Sequence, residues 1–373
     1  MFRLPNFGTM CLFSNIVFLR FEITTMSEQK KVTPISTLGE FGLIEHLTHG
    51  FENLNATTLK GVGDDAAVIG NCGKQTVITT DLLVEGVHFD MMYTPLKHLG
   101  YKSVVVNLSD IYAMNAQPKQ ITVSLAISSR YTVEALDELY EGIKLACKHY
   151  KVDLVGGDTT SSLKGLIISV TAIGEATEDE LVYRNGAKVG DLVCVTGDLG
   201  AAYLGLQILE REKKIYLEHP DLQPELENAD YLIGKLLKPE ARKDIIQFFK
   251  DIDLKPTAMM DLSDGLSSDI FHLCKQSGVG CELNETAIPV SEDAYHMALK
   301  FNMDPVTCAL NGGEDYELLF TIAPEDETKI TGEEAFSIVG TITKQEKGCV
   351  LVTRSGNRHN LKAQGWNHFN QQD

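Results

Sequence analysis

Gly61-Val62-Gly63-Asp64-Asp65-Ala66 sets two adjacent carboxylates in a glycine-bracketed turn, and just beyond it Thr76-Val77-Ile78-Thr79-Thr80-Asp81 reads as a strand ending in a third acid. The device recurs in Asn107-Leu108-Ser109-Asp110, Gly156-Gly157-Asp158-Thr159-Thr160, Asp261-Leu262-Ser263-Asp264-Gly265 and Gly312-Gly313-Glu314-Asp315-Tyr316. Each is expected at or beside the end of a strand or an apolar helix. A single aspartate in a turn is ordinary, because its side chain hydrogen-bonds the local backbone. Taken jointly, Asp64, Asp65, Asp81, Asp110, Asp158, Asp261 and Asp264 would repel one another unless cations neutralise them. Oxygen donors of this kind, with Thr79, Thr80 and Ser263 nearby, suit magnesium rather than zinc or copper.

Working outward, Leu38 to His46 reads as the start of a helix. Leu96 to Met114 has apolar residues at helical spacing, and its second stripe, Ser103, Asn107 and Asp110, would share one face. Gln120 to Ile127 alternates like a strand, Val133 to Tyr150 reads as a helix with Thr132 at its N-cap, and strand Val152 to Val155 runs into Gly156-Gly157-Asp158. Leu166 to Gly174 is a further β-rich run, completing an α/β or α+β module. A boundary is expected between Glu175 and Asp191, around Arg184-Asn185-Gly186. The expected division is therefore an extension over 1–25, a first domain over 26–180 and a second over 181–373.

The second half opens with strand Leu192 to Thr196 and helix Ala201 to Arg211, followed by Lys213 to Ala229, a polar surface insertion. Strand Ala258 to Asp261 leads into helix Gly265 to Ser277, so Asp261 and Asp264 sit before a helix N-terminus. Strand Tyr316 to Ile322 follows the last acidic turn, and Gly340 to Phe369 is β-like.

The chain has 373 residues, 43% hydrophobic and 23% charged, enough for two globular domains. Lysine plus arginine number 33 against 52 acids, and the resulting charge of −19 disfavours nucleic acid or an anionic membrane as partner. Eight cysteines are scattered without a C-x-x-C pair, which reads as a reduced, cytoplasmic protein without structural zinc. Met1 to Thr25 is apolar and interrupted by Pro5 and Gly8; it fits no membrane span, and translation starting at Met26 is preferred over a targeting segment.

No G-x-x-x-x-G-K-[ST] loop and no kinase H-R-D or D-F-G set occurs. Gly156-Gly157 would let backbone N–H groups approach a phosphate, or would simply make a tight turn. Arg184 is a candidate nucleotide contact or a solvated linker arginine. His88 is a candidate substrate contact, although a lone histidine is more often structural, and Trp366, the only tryptophan, either lines a site or packs.

Together these motifs, with Gly39-Glu40-Phe41-Gly42-Leu43-Ile44 and Val84-Glu85-Gly86-Val87-His88-Phe89, resemble the thiamine-monophosphate kinase family, in the superfamily of aminoimidazole ribonucleotide synthetase. They run in family order from about Ser36 to Phe369, while Lys238-Pro239-Glu240-Ala241-Arg242 departs from the usual Pro-x-Pro-Arg form. The resemblance implies a two-domain α/β (α+β) fold, a homodimer formed through the N-terminal sheet, and ATP with several Mg²⁺ ions in a cleft. It also implies direct transfer of the γ-phosphate to thiamine phosphate. By motif, Asp65, Thr79, Thr80, Asp81, Asp110, Asp158, Asp261 and Asp264 would hold Mg²⁺, with Asp81, Asp110 and Asp264 catalytic. Gly157, Asp158, Arg184 and Ser263 would face ATP, and His88, Glu314 and Trp366 the thiamine moiety. Two other readings stay open: an ATP-dependent synthetase of the same superfamily acting on a ribonucleotide amide, and a non-catalytic Mg-nucleotide sensor.

Overall fold

The computed structural model describes residues 58–60, 63–71 and 73–362. The extension over 1–25, the helix expected from Leu38 and Trp366 lie outside the described residues. Two sheets organise the rest. The first has six strands, β1 (Thr58–Lys60), β2 (Ala67–Asn71), β3 (Lys74–Val84), β4 (Gln117–Ser128), β5 (Asp153–Ser162) and β6 (Leu166–Ala176), in the order β1-β2-β3-β6-β4-β5. Along β6, Leu166, Ile168, Val170 and Ala172 are buried while the residues between them are half-buried, the period-2 pattern of a sheet covered on one face. Helices α1 (Leu96–Ala113) and α2 (Val133–Tyr150) supply that cover. The hydroxyl of Thr132 accepts a hydrogen bond from Ala135 N at 3.3 Å and caps α2 as its sequence predicts.

The second sheet contains β7 (Leu192–Thr196), β8 (Ala258–Asp261), β9 (Val279–Asn284), β10 (Leu318–Ile322), β11 (Phe336–Lys344), β12 (Cys349–Val352) and β13 (Arg358–Asn360), in the order β13-β12-β9-β11-β7-β10-β8. Every residue of β8 and β10 is buried because this sheet is an inner layer. Met259, Leu318, Phe320 and Ile322 pack into a core shared with α1 and α2, whereas Ala258, Met260 and Leu319 face helix α6 (Leu266–Ser277) on the other side. Helices α3 (Ala201–Glu218), α4 (Asp230–Leu237), α5 (Lys243–Asp251), α7 (Glu292–Lys300), α8 (Pro305–Asn311) and the single turn α9 (Glu327–Ile330) also belong to the second half.

Four expectations change. Strand β3 runs through Asp81 to Val84, held by β6 along that length, so Asp81 projects from a sheet face rather than a strand end. Gly156-Gly157-Asp158 continues β5 instead of turning, because β4 pairs with it from Asp153 to Ser162. Strand β10 starts at Leu318, since Tyr316 has a left-handed backbone (φ 51°). Helix α3 extends to Glu218 and absorbs the start of the supposed insertion.

The segment between the sheets is stitched to the end of α1 and to the second sheet: Val182 N donates to Met114 O at 3.2 Å and Met259 N to Tyr183 O at 2.9 Å. Tyr150 is a second weld. Its hydroxyl donates to Glu240 Oε2 at 2.7 Å and accepts from Ala241 N at 2.9 Å. Tyr150→Phe would leave a buried N–H unpaired and should cost about 1–3 kcal/mol. Thermal unfolding followed by circular dichroism should show a Tm lower by several degrees; an unchanged Tm would mean the weld contributes nothing.

Candidate active site

Three carboxylates from three separate elements converge: Asp65 after the first glycine turn, Asp110 in the last turn of α1, and Asp261 at the end of β8, each offering an oxygen within 4.8 Å of the others. Neighbours fix them in place. Thr79 Oγ1 donates to Asp110 Oδ2 at 2.6 Å, and Ser109 Oγ donates to Asp261 Oδ2 at 2.7 Å. Asn107, on the stripe foreseen for this helix, accepts from Asp81 N at 2.9 Å and so ties β3 to α1. Arg184 closes the group from the linker, with Nε and Nη2 each donating to Asp65 at 2.7 Å. That bidentate pair neutralises one carboxylate of the set.

The remaining acids carry the electrostatic strain. Burial, then the charges of Asp81, Asp261 and Asp65, push Asp110 well above the usual carboxylate range. Burial, then Asp65, raises Asp261 to about 8, and burial raises Asp81 to about 6. Asp269, in the first turn of α6, is also raised, by burial and then by Asp264 and Asp261, while it accepts from Asp264 N at 3.2 Å. Carboxylates pushed toward protonation by burial and by one another, with the hydroxyls of Thr79 and Ser109 on two of them, are an oxygen donor set that fits a hard divalent cation.

A cleft of about 610 Å³ extends from these acids between the two halves. Asp81, Asp110, Asp261, Ser263 and Asp264 line one end, and His88, Glu314 and Lys102 are among the residues lining the rest. His88 Nδ1 accepts from Val84 N at 3.0 Å, so in the neutral ring the proton sits on Nε2. Glu314 is presented by a tight turn in which Gly313 has φ +73° and a Cβ there would lie 2.6 Å from Ser263 O, so no other residue fits. Lys102 Nζ donates to Glu314 Oε2 at 3.0 Å, with its side chain only 5% exposed.

Strand alternation separates two other candidates from the cluster. Thr79 and Asp81 share the helix-covered face of β3 with buried Val77 and Leu83, so Thr80 points to the open face, where it donates to Val170 O and accepts from Thr171 Oγ1, both at 3.0 Å. Asp158 lies on that open face too: it registers with Ser124, Ser169 and Leu82 across the sheet, three strand spacings or about 14 Å from β3. Gly157 has a packing reason of its own, since a Cβ there would lie 1.8 Å from Val123 O. Arg242 is held by Glu317 and by Asp244, with Nη2 2.9 Å from Asp244 Oδ2, and stands in a structural ion-pair network.

Sequence reasoning passed over Lys102 and Asp269. Lys102 gave no signal, being one of two lysines in a largely apolar helix, whereas Asp269 could have been found as an acid in the first turn of the helix after Asp261-x-x-Asp264.

The family model described as AIR synthase related protein, N-terminal domain, matches residues 63–176, and that for the C-terminal domain matches residues 188–352. Thiamine-monophosphate kinase of Aquifex aeolicus is 39% identical over 287 residues, covering 77% of this chain and 87% of the relative. The enzyme of the same name from Bacillus subtilis is 33% identical over 339 residues, 89% of this chain and 100% of its own. A solved structure, AaThiL complexed with AMPPCP and TMP, superposes with a TM-score of 0.77 at 33% identity, over 91% of this chain and 100% of that one.

Proposed function

The chain belongs to the thiamine-monophosphate kinase family, among the AIR synthase related proteins, and we propose that its cleft moves the γ-phosphate of ATP directly to thiamine phosphate, giving thiamine diphosphate and ADP. The observation that carries this reading is the continuity of one cleft from the acid cluster to His88, Lys102 and Glu314. The related structure holding AMPPCP and TMP supports the same pair of ligands.

Phosphoryl transfer needs positioning and charge neutralisation more than a covalent nucleophile. Asp65, Thr79, Asp81, Asp110, Asp261 and Asp264 are the residues that would hold magnesium on this side of the sheet, and bound magnesium would neutralise the charge shared between the phosphates. Arg184 and Ser263 stand at the nucleotide end. His88 Nε2 and the Glu314 carboxylate stand at the acceptor end, with Trp366 proposed to stack on the thiamine rings. Lys102, buried beside Glu314 in the cleft wall, supplies a fixed positive charge for a phosphate of the acceptor. ADP release from ATP that depends on thiamine phosphate tests the whole reading. ADP formed instead with a ribonucleotide amide would favour a synthetase, and none with either would favour a nucleotide sensor.

Thr80, Gly157 and Asp158 belong to the proposed site only if a second copy covers the open face of the first sheet. Three features support a homodimer through that sheet. Among the described residues the edge strand β5 pairs with β4 alone, its Leu154 and Val155 are 44% and 58% exposed, and Leu82 on the open face is 52% exposed. An unpaired apolar edge of this kind invites another chain. Light scattering at micromolar concentration should give twice 41.1 kDa. An active monomer would refute the dimer and remove Asp158 from the metal set. No helix among the described residues is long and apolar enough to cross a membrane. A cytoplasmic location is proposed with this reading, supported by the free cysteines among the described residues.

A further inference from the structure

Three of the cysteines that look scattered in sequence meet in the second half of the chain. Cys274 comes from α6, Cys281 from β9 and Cys349 from the start of β12, and their sulfurs all lie within 4.8 Å of one another. None of them lines the cleft. Cys281 and Cys349 are partners in the parallel pairing of β9 with β12, and α6 lays Cys274 over them. All three are buried among apolar neighbours that include Leu283, Val339 and Ile342, with Cys349 the most accessible at 7%.

We propose that Cys274, Cys281 and Cys349 form a site for a thiophilic d¹⁰ metal ion, monovalent copper or divalent zinc. Thiolate sulfur is the soft ligand that selects such ions over the magnesium suited to the acid cluster. With metal–sulfur bonds of about 2.3 Å, three ligand sulfurs stand about 4 Å apart, a spacing the cluster accommodates within its present limit of 4.8 Å. A disulfide would instead require two sulfurs to close to about 2.05 Å and would leave the third unused. The donors are preorganised, two on strands in register and one on the helix packed above them. Coordination converts thiols to thiolates, each releasing its proton to solvent, so uptake is accompanied by proton release.

The position of the site gives occupancy a structural consequence. Helix α6 begins directly after the Asp261–Gly265 loop of the candidate active site, and at its other end Gln276 Nε2 donates to Gly63 O at 2.6 Å and Ser277 Oγ to Arg184 O at 3.2 Å. A metal pinning Cys274 to the sheet therefore holds the helix that both acidic loops lean on.

The test uses the full-length reduced protein, freed of metal with chelator and then kept in excess Mg²⁺. Monovalent copper is titrated against a chromophoric copper chelator, and Zn²⁺ separately against a zinc indicator, the two arms identifying the ion. One equivalent should be retained, with a rise in Tm. X-ray absorption at the metal edge should show three sulfurs at about 2.3 Å. Cys349→Ser, at the most accessible position, should weaken retention by more than about tenfold, while Cys147→Ser and the pair Cys11→Ser, Cys72→Ser should not. Retention unchanged in Cys349→Ser, a shell of oxygen and nitrogen only, or no uptake of either ion would overturn the site and leave the three thiols as packing groups. The absorption measurement on the wild type decides the matter if a serine variant does not fold.

Discussion

Asp261→Asn is expected to lower turnover by about 10²- to 10⁴-fold at saturating magnesium and ATP, and at the same time to raise the Tm of the metal-free protein. Both effects come from one cause. Asp261 is buried beside Asp65 and Asp110, and burial followed by the charge of Asp65 lifts its pKa to about 8. The unfolded chain returns it to about 3.9. The folded state therefore binds this proton more tightly than the unfolded state does, so the free energy of unfolding falls as pH rises between about 4 and about 8. In chelator, the wild-type Tm should drop across that interval, and Mg²⁺ added near its upper end should restore it. Asparagine mimics the protonated acid in shape and charge, keeps an acceptor for Ser109 Oγ, and should flatten the metal-free profile. What it removes is the negative oxygen that a cation needs during transfer. Calorimetry with chelator and with Mg²⁺, set beside initial rates, checks the pair of signs. A variant with wild-type turnover, or one destabilised in chelator, would show that Asp261 does not belong to a cation site.

The sequence exposed local features and concealed those that depend on which way a side chain points. Helix α2 emerges with its bounds and its Thr132 cap intact, because amphipathic spacing and a capping hydroxyl are both local. The gathering of Asp65, Asp110 and Asp261 was legible as a set of acidic motifs, since each sits at or beside the end of an apolar element that must pack. The division of the set was not. Thr79 and Thr80 are neighbours in sequence yet face opposite sides of one sheet, and the side on which each functions depends on what covers that sheet. The two glycines before Asp158 suggest a turn, whereas β4 pairs straight through them. The meeting of Cys274 with Cys349 crosses 75 residues of chain through a parallel strand pair, and nothing in spacing alone announces it.

Lys102→Met is expected to lower kcat/KM for thiamine phosphate by about 30- to 100-fold while changing the KM for ATP much less, the loss of one charge-assisted contact of about 2 to 3 kcal/mol. Two lysines, Lys102 and Lys213, line the cleft among its acids. Lys213 is engaged at the rim, 2.7 Å from Asp90 and 3.2 Å from Glu210. Lys102 stands deeper and is nearly enclosed, on the same helix as Asp110 and about 12 Å from it along the axis. An ammonium in that position either serves Glu314 alone or also meets an incoming phosphate, and the two roles separate in a double variant. Glu314→Gln removes the partner's charge. If Lys102 were there only to neutralise Glu314, the combination Lys102→Met, Glu314→Gln would recover the activity of Glu314→Gln alone, because no unpaired carboxylate would remain. If the ammonium holds a phosphate, the double variant stays as impaired as the sum of its parts. Glu314 is 31% exposed, so loss of its partner leaves it partly solvated and the Tm of Lys102→Met should shift little. The phosphate role predicts a double variant that remains slow in a well-folded protein, and recovery of acceptor kcat/KM in that variant would reduce Lys102 to the counter-ion of Glu314.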